Sequence, residues 1–176
     1  MYNKELEKYL DTFQRKIEDE LMPKGNYLIS PDLEKKWREI APEYIADAIK
    51  EWNEYPEVAL AWAGFIGLAI AHEWDKDWEK YSRKGYNHLL GKRGFDDMDE
   101  HILQNILGYK LDSIEATGIT YTLRSSAERI LKLIQSEGIE GQTATAFYIF
   151  SRCVNVMYCF GVSMELKKLG YNYHSI

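Results

Sequence analysis

Along most of the chain apolar residues return every three or four positions, the period of an α-helix that buries one face. The pattern predicts a first helix over residues 3–21, with Leu6, Tyr9, Leu10, Phe13 and Ile17 on one side and Pro23 with Gly25 ending it. Ser30 is placed to cap a second helix that has Pro31 at its first turn, where the missing N–H costs nothing. Trp37, Ile40, Ile45, Ile49 and Trp52 form its apolar side. Pro42 makes this segment either two short helices or one helix kinked near Ala41.

Pro56 opens a third helix that is apolar all round as far as His72 and then turns charged in EWDKDWEK, so its first half belongs at the centre and its second half emerges. Ala59, Ala63, Gly67 and Ala71 make a smooth strip along it. Gly64 and Gly67 each cost up to about 1 kcal/mol relative to Ala in a helix, which close packing of another backbone would offset. Residues 82–96, punctuated by Gly85, Gly91 and Gly94, form the longest irregular stretch.

A fourth helix is expected from an Asp97 cap with Glu100 three residues on, its face built from Met98, Ile102, Leu103, Ile106, Leu107, Leu111 and Ile114. The fifth carries Ile119, Leu123, Ala127, Ile130 and Ile134. ITYTL alone would pass for a strand, but the helical phase runs on through SAERILKLI. Gly138 and Gly141 bracket the turn into a last helix over about 142–169, ended by Gly170, with Lys167 and Lys168 suited to its C-terminal dipole. The expected fold is therefore all-α: a single domain, 1–176, folded as a compact antiparallel bundle of five or six helices around the third and the last.

Composition narrows the function. The chain has 176 residues, 45% hydrophobic, enough for one core without a disulfide or metal staple. Its 22 Lys and Arg against 28 Asp and Glu give a net charge of -6, which argues against nucleic acid or an anionic membrane as partner. Residues 58–71 are too few to span a bilayer. Residues 144–164 are long enough but carry Arg152 and Asn155 near the middle, so both stretches read as core helices. The N-terminus has no apolar export signal. Cys153 and Cys159, six apart on one helix, lie roughly 9 Å from each other by helical rise, too far to bridge. A reduced, cytoplasmic setting fits.

The last helix holds the first candidate site. Thr145, Tyr148, Arg152, Asn155, Cys159 and Ser163 share one stripe, and between Gln142 and Met164 the only charge is Arg152. A stripe so poor in charge is expected to be shielded from water, and a sequestered guanidinium needs a partner. Glu73, Asp75, Asp77 and Glu79 are the candidates. The stripe is either a structural network or, with Tyr148, Arg152, Asn155 and Cys159 as its members, the lining of a ligand pocket or subunit interface. A homodimer through this face would explain the missing charge equally well.

A second cluster, His72, Asp75 and Glu79, falls on one side of the third helix and is the alternative: a divalent-metal site, with Arg152 holding an anionic substrate. Its spacing matches no specific template. Lys76 stands where the H-E-x-x-H motif needs its second histidine, no E-x-x-H occurs, and Lys80 and Tyr86 replace the Gly and Glu of a calcium loop. Of the other histidines, His88, His101 and His174, no two share a helical turn. The neutral reading of His72 is a hydrogen-bonded residue at the core edge.

Arg83, Lys84, Lys92 and Arg93 concentrate positive charge in the irregular stretch and form an anion-docking candidate, set against the plainer reading of a solvated basic loop. GKRG lacks the spacing of a phosphate-binding loop. No nucleophile arrangement stands out, since no histidine lies near Cys159 in sequence. The function expected from these residues is a non-enzymatic binding or interaction protein without a resident cofactor, whose partner is a protein, a second copy or a small-molecule ligand.

Overall fold

A computed structural model describes residues 2–23 and 27–172. Gly25, expected to stop the first helix, and His174 lie outside the described residues. Within them the chain forms α1 (Lys4–Leu21), α2 (Pro31–Glu54), α3 (Pro56–Tyr81), a 3-10 turn at Tyr86–Leu89, α4 (Met98–His101) running into a π turn at Ile102–Ile106, α5 (Ile114–Ser136) and α6 (Ala144–Lys168). The expected all-α bundle is present.

Local chemistry sets most of the boundaries. The side chains of Asn3, Ser30, Ser113 and Thr143 each accept a hydrogen bond from the backbone N–H three residues on, satisfying a donor that the helix itself cannot. Gly170 ends α6 with φ of 95°, a left-handed conformation open to glycine. Pro42 lies inside one uninterrupted α2, exposed on its solvent side, so the segment does not divide.

The ends of the helices show how they run. Trp52 stacks on Phe150 while Trp37 stacks on Tyr158, with ring centroids 4.7 and 4.6 Å apart, so α2 is antiparallel to α6. Tyr2 meets Tyr148 and Met22 lies by Ser163, so α1 is parallel to α6. Pro56 and Ile149 flank one cleft and His72 bonds to Glu165, so α3 is parallel to α6 as well. Successive long helices alternate in direction, which leaves the two central helices, α3 and α6, side by side and pointing the same way.

Those two helices touch through glycine. A Cβ on Gly161 would overlap the carbonyl of Gly64, and one on Gly67 would overlap the carbonyl of Tyr158. The small-residue strip of α3 thus serves the close helix contact that its composition suggested. Every residue from Ala59 to Ala71 is buried. By length and composition α6 could also cross a membrane, but here it is packed against α1, α2 and α3.

The fourth helix departs from expectation. Regular α-structure lasts only from Met98 to His101, and the apolar phase is then met by a π turn closed by a 2.9 Å bond from Leu107 N–H to the Ile102 carbonyl. Gly108, with φ of 81°, breaks the chain away, leaving Leu111 and Ile114 exposed rather than on a buried face. Asp97 does not cap this helix. Its carboxylate turns back to accept the Arg93 N–H at 3.1 Å, tying down the turn in which Gly91 and Gly94 pair.

Candidate functional site

The charge-poor stripe of α6 is occupied by the chain's own N-terminal third. Tyr148 meets the edge of Tyr2, and the Asn155 side-chain oxygen accepts the indole N–H of Trp37 at 2.6 Å. Cys159 lies 3.2 Å from the Tyr27 hydroxyl, and the buried Ser163 hydroxyl donates to the Leu28 carbonyl while accepting its N–H. Arg152 donates to Asp11 at 2.6 Å and to Gln14 at 3.1 Å. Its partner is therefore an acid of α1, not Glu73, Asp75, Asp77 or Glu79. Arg152 sits near the start of α6, whereas those acids lie at the far end of a parallel α3. The Arg152 side chain keeps 21% of its surface. Burial works against its charge, but hydrogen bonds to Asp11 and Tyr2 more than offset that and raise its pKa. Burial pushes the Cys159 thiol up to about 12, and the sealed Cys153 thiol upward too, so neither is an activated nucleophile.

His72, Asp75 and Glu79 are not brought together. The His72 ring turns toward α6, with Nδ1 2.8 Å from the buried Glu165 carboxylate, while Asp75 accepts the Tyr171 hydroxyl at 2.7 Å. Glu79 lies beyond a break at Asp77, whose extended backbone ends the helical run and whose side chain caps the next turn at Lys80. Among the described residues no three His, Cys, Asp or Glu side chains converge to hold a metal. A second pair, His88 with buried Glu73 at 2.5 Å, anchors the irregular stretch to α3. The His88 carbonyl in turn accepts from His101. Buried Lys36 secures the same stretch by donating to the carbonyls of Ser82 and Lys84 at the end of α3.

That anchoring separates the four cations of the basic loop. Arg83 and Lys84 face a shallow hollow of about 470 Å³ together with Asp77, Glu79 and Lys80, where acids already offset the bases. Arg93 instead reaches Asp97 at 3.9 Å and Glu100 at 4.0 Å, and Lys92 is exposed beside it. The four do not form one anion cradle, because the 3-10 turn and the Gly91–Gly94 pairing hold the two sets apart. This hollow is larger than any other described below, yet exposed charges line it throughout, so it is ordinary solvated surface.

A different concavity lies where α2 ends, α3 begins, α5 ends and α6 begins. Two adjoining hollows, of about 360 and 250 Å³, share Trp52, Asn53, Gln142 and Ala146. Ile49 and Phe147 complete the first; Pro56, Leu131, Ile134, Ile139 and Ile149 wall the second. No ionisable side chain lines either one. Their polar groups are the amides of Asn53, Gln135 and Gln142, the Trp52 indole N–H and Thr143, whose hydroxyl is committed to capping α6. Gln142 holds its position with φ of 60°, a left-handed conformation uncommon for a residue with a side chain.

Compared with protein-family models, with curated proteins and with solved structures, the chain matches none. The geometry is therefore the sole guide to function.

Sequence reasoning placed a site on α6 and the shortage of charge pointed to it, but the open part is its first turn rather than the stripe. The signal is present in GQTA, residues 141–144, where the uncharged run extends outward ahead of the stripe. What the pattern lacked was the meeting of four helix ends, which brings Trp52 and Ile134 to the same hollow across long sequence separations.

Proposed function

We propose that the protein is a non-catalytic binding or interaction protein, and that it receives an apolar group in the cleft between the ends of α2 and α5 and the beginnings of α3 and α6. One observation carries this reading: the cleft is concave, lined by apolar side chains with a few exposed amide groups, and free of acids, bases and activated nucleophiles. That is the usual make-up of a binding pocket, and its combined size is in the range of such pockets, roughly 300 to 1,000 Å³. Catalysis by proton transfer or nucleophilic attack would need groups that this lining does not hold. Two unpaired cysteines support placing the protein in a reducing, cytoplasmic setting.

The test uses Nile red, an uncharged apolar dye whose emission rises out of water. Saturable binding is expected for the native protein, and Ile139→Glu, at a half-buried wall position in the turn before α6, should weaken it at least tenfold while circular dichroism is unchanged. Absence of saturable binding, or equal binding by Ile139→Glu, contradicts the assignment.

A further inference from the structure

We infer that the occupant of this cleft is a small uncharged molecule with a hydrocarbon or aromatic body and a carbonyl or carboxamide group, a reading that rests on the cleft being the binding site. Three observations support it.

The first is charge. An ion placed among Trp52, Ile134 and Ile149 would lose water without meeting an opposite charge, and such desolvation is costly. A neutral ligand avoids that penalty. The second is unspent hydrogen bonding. The exposed amides of Asn53, Gln135 and Gln142 and the indole N–H of half-buried Trp52 bond to no described residue; the indoles of Trp37, Trp62 and Trp74 each donate to a protein oxygen, and that of Trp78, like Trp52, does not. An indole N–H only donates, whereas a carboxamide both donates and accepts, so together they match a carbonyl or amide group on the ligand. The third is backbone strain. Gln142 occupies a conformation that glycine would adopt at lower cost, so the chain presents an amide side chain here at the expense of backbone strain.

Size and surroundings favour a small molecule over a protein surface. The lining segments are flanked by exposed charges at Lys50, Glu54, Lys132 and Glu140, which interrupt the uncharged area around the hollow. A stable protein interface would need roughly 800 Å² per partner.

The experiment compares 4-phenylbutanamide with 4-phenylbutanoate, which share a body and differ in charge, by following the amide and indole N–H resonances of the full chain in ¹⁵N-labelled protein. Saturable shifts at Asn53, Gln142 and Trp52 are expected with the amide, and binding of the carboxylate should be at least tenfold weaker. Gln135→Lys, an exposed position on α5, should narrow or reverse that preference by supplying a cation. Gln142→Gly should raise the melting temperature and yet weaken the amide probe at least threefold, a combination that a purely structural role would not produce. Equal affinity for both probes overturns the assignment of a neutral ligand while leaving the cleft as the binding site. Silence from both probes, with Nile red still bound and still sensitive to Ile139→Glu, overturns the ligand class alone. If Nile red also fails, the binding site itself falls.

Discussion

An arginine side chain with one-fifth of its surface in water behaves differently from a sealed one. Arg152 is largely shielded but pairs with an Asp11 that is half exposed, so removing the cation leaves a carboxylate that water can still solvate. Arg152→Met should therefore cost about 1 kcal/mol, as for a surface pair, and not the roughly 3 to 5 kcal/mol of a broken buried pair. Chemical denaturation measures the difference, and a loss above 3 kcal/mol would show the site to be drier than its geometry. Asp99 presents the opposite case. Burial raises its carboxyl pKa, hydrogen bonds from the Glu100 and Asp99 backbone oppose the rise, the Glu100 charge adds to it and Arg124 opposes it, with burial prevailing. Because the folded-state value exceeds the unfolded one, the charged form is the unfavourable one in the native protein. Asp99 thus reduces stability at neutral pH, and the penalty fades as pH falls through the folded-state value. Asp99→Asn should melt at a higher temperature than the native protein at pH 7, and the gap should close once pH drops below about 4. A gap that widens toward acid would reverse the sign of the argument.

At the scale of helices, the central contact depends on the absence of side chains. Gly67→Ala places a methyl against the Tyr158 carbonyl of a rigid neighbouring helix and should destabilise by about 3 kcal/mol. Gly118→Ala, on α5, meets nothing within 4 Å and should instead stabilise by about 0.5 to 1 kcal/mol through helix propensity and reduced freedom of the unfolded chain. Thermal melts of the two variants should shift in opposite directions, and a matching loss in both would mean that helix propensity is not what Gly118 sets. The same scale shows what could be read from sequence. The cap at Ser30, the proline at Pro31 and the terminating Gly170 are local features, and the helices begin and end within a residue or two of them. The expected fourth helix failed because periodicity alone cannot distinguish an α-turn from a π turn, and because Asp97 bonds backward to Arg93 rather than forward into the helix. Partner choice was beyond reach for a related reason. Arg152 and Asp11 are 141 residues apart, and local pattern does not say which helix lies beside which.

The whole molecule is a bundle whose central helix α6 has its polar stripe covered by α1, Tyr27, Leu28 and Trp37 and exposes uncharged residues at its beginning. This arrangement explains why α6 looked like an interface in sequence: its polar stripe is recognised, but by Tyr27, Trp37 and Gln14 of the same chain. The recognition proposed for the protein falls to the end cleft. The most direct test is methyl NMR on isoleucine-labelled protein titrated with Nile red. The account predicts that Ile49, Ile134, Ile139 and Ile149 shift together and saturate, while Ile17, buried on α1, does not move. Shifts centred on Ile17, or none at the four cleft methyls, would contradict it.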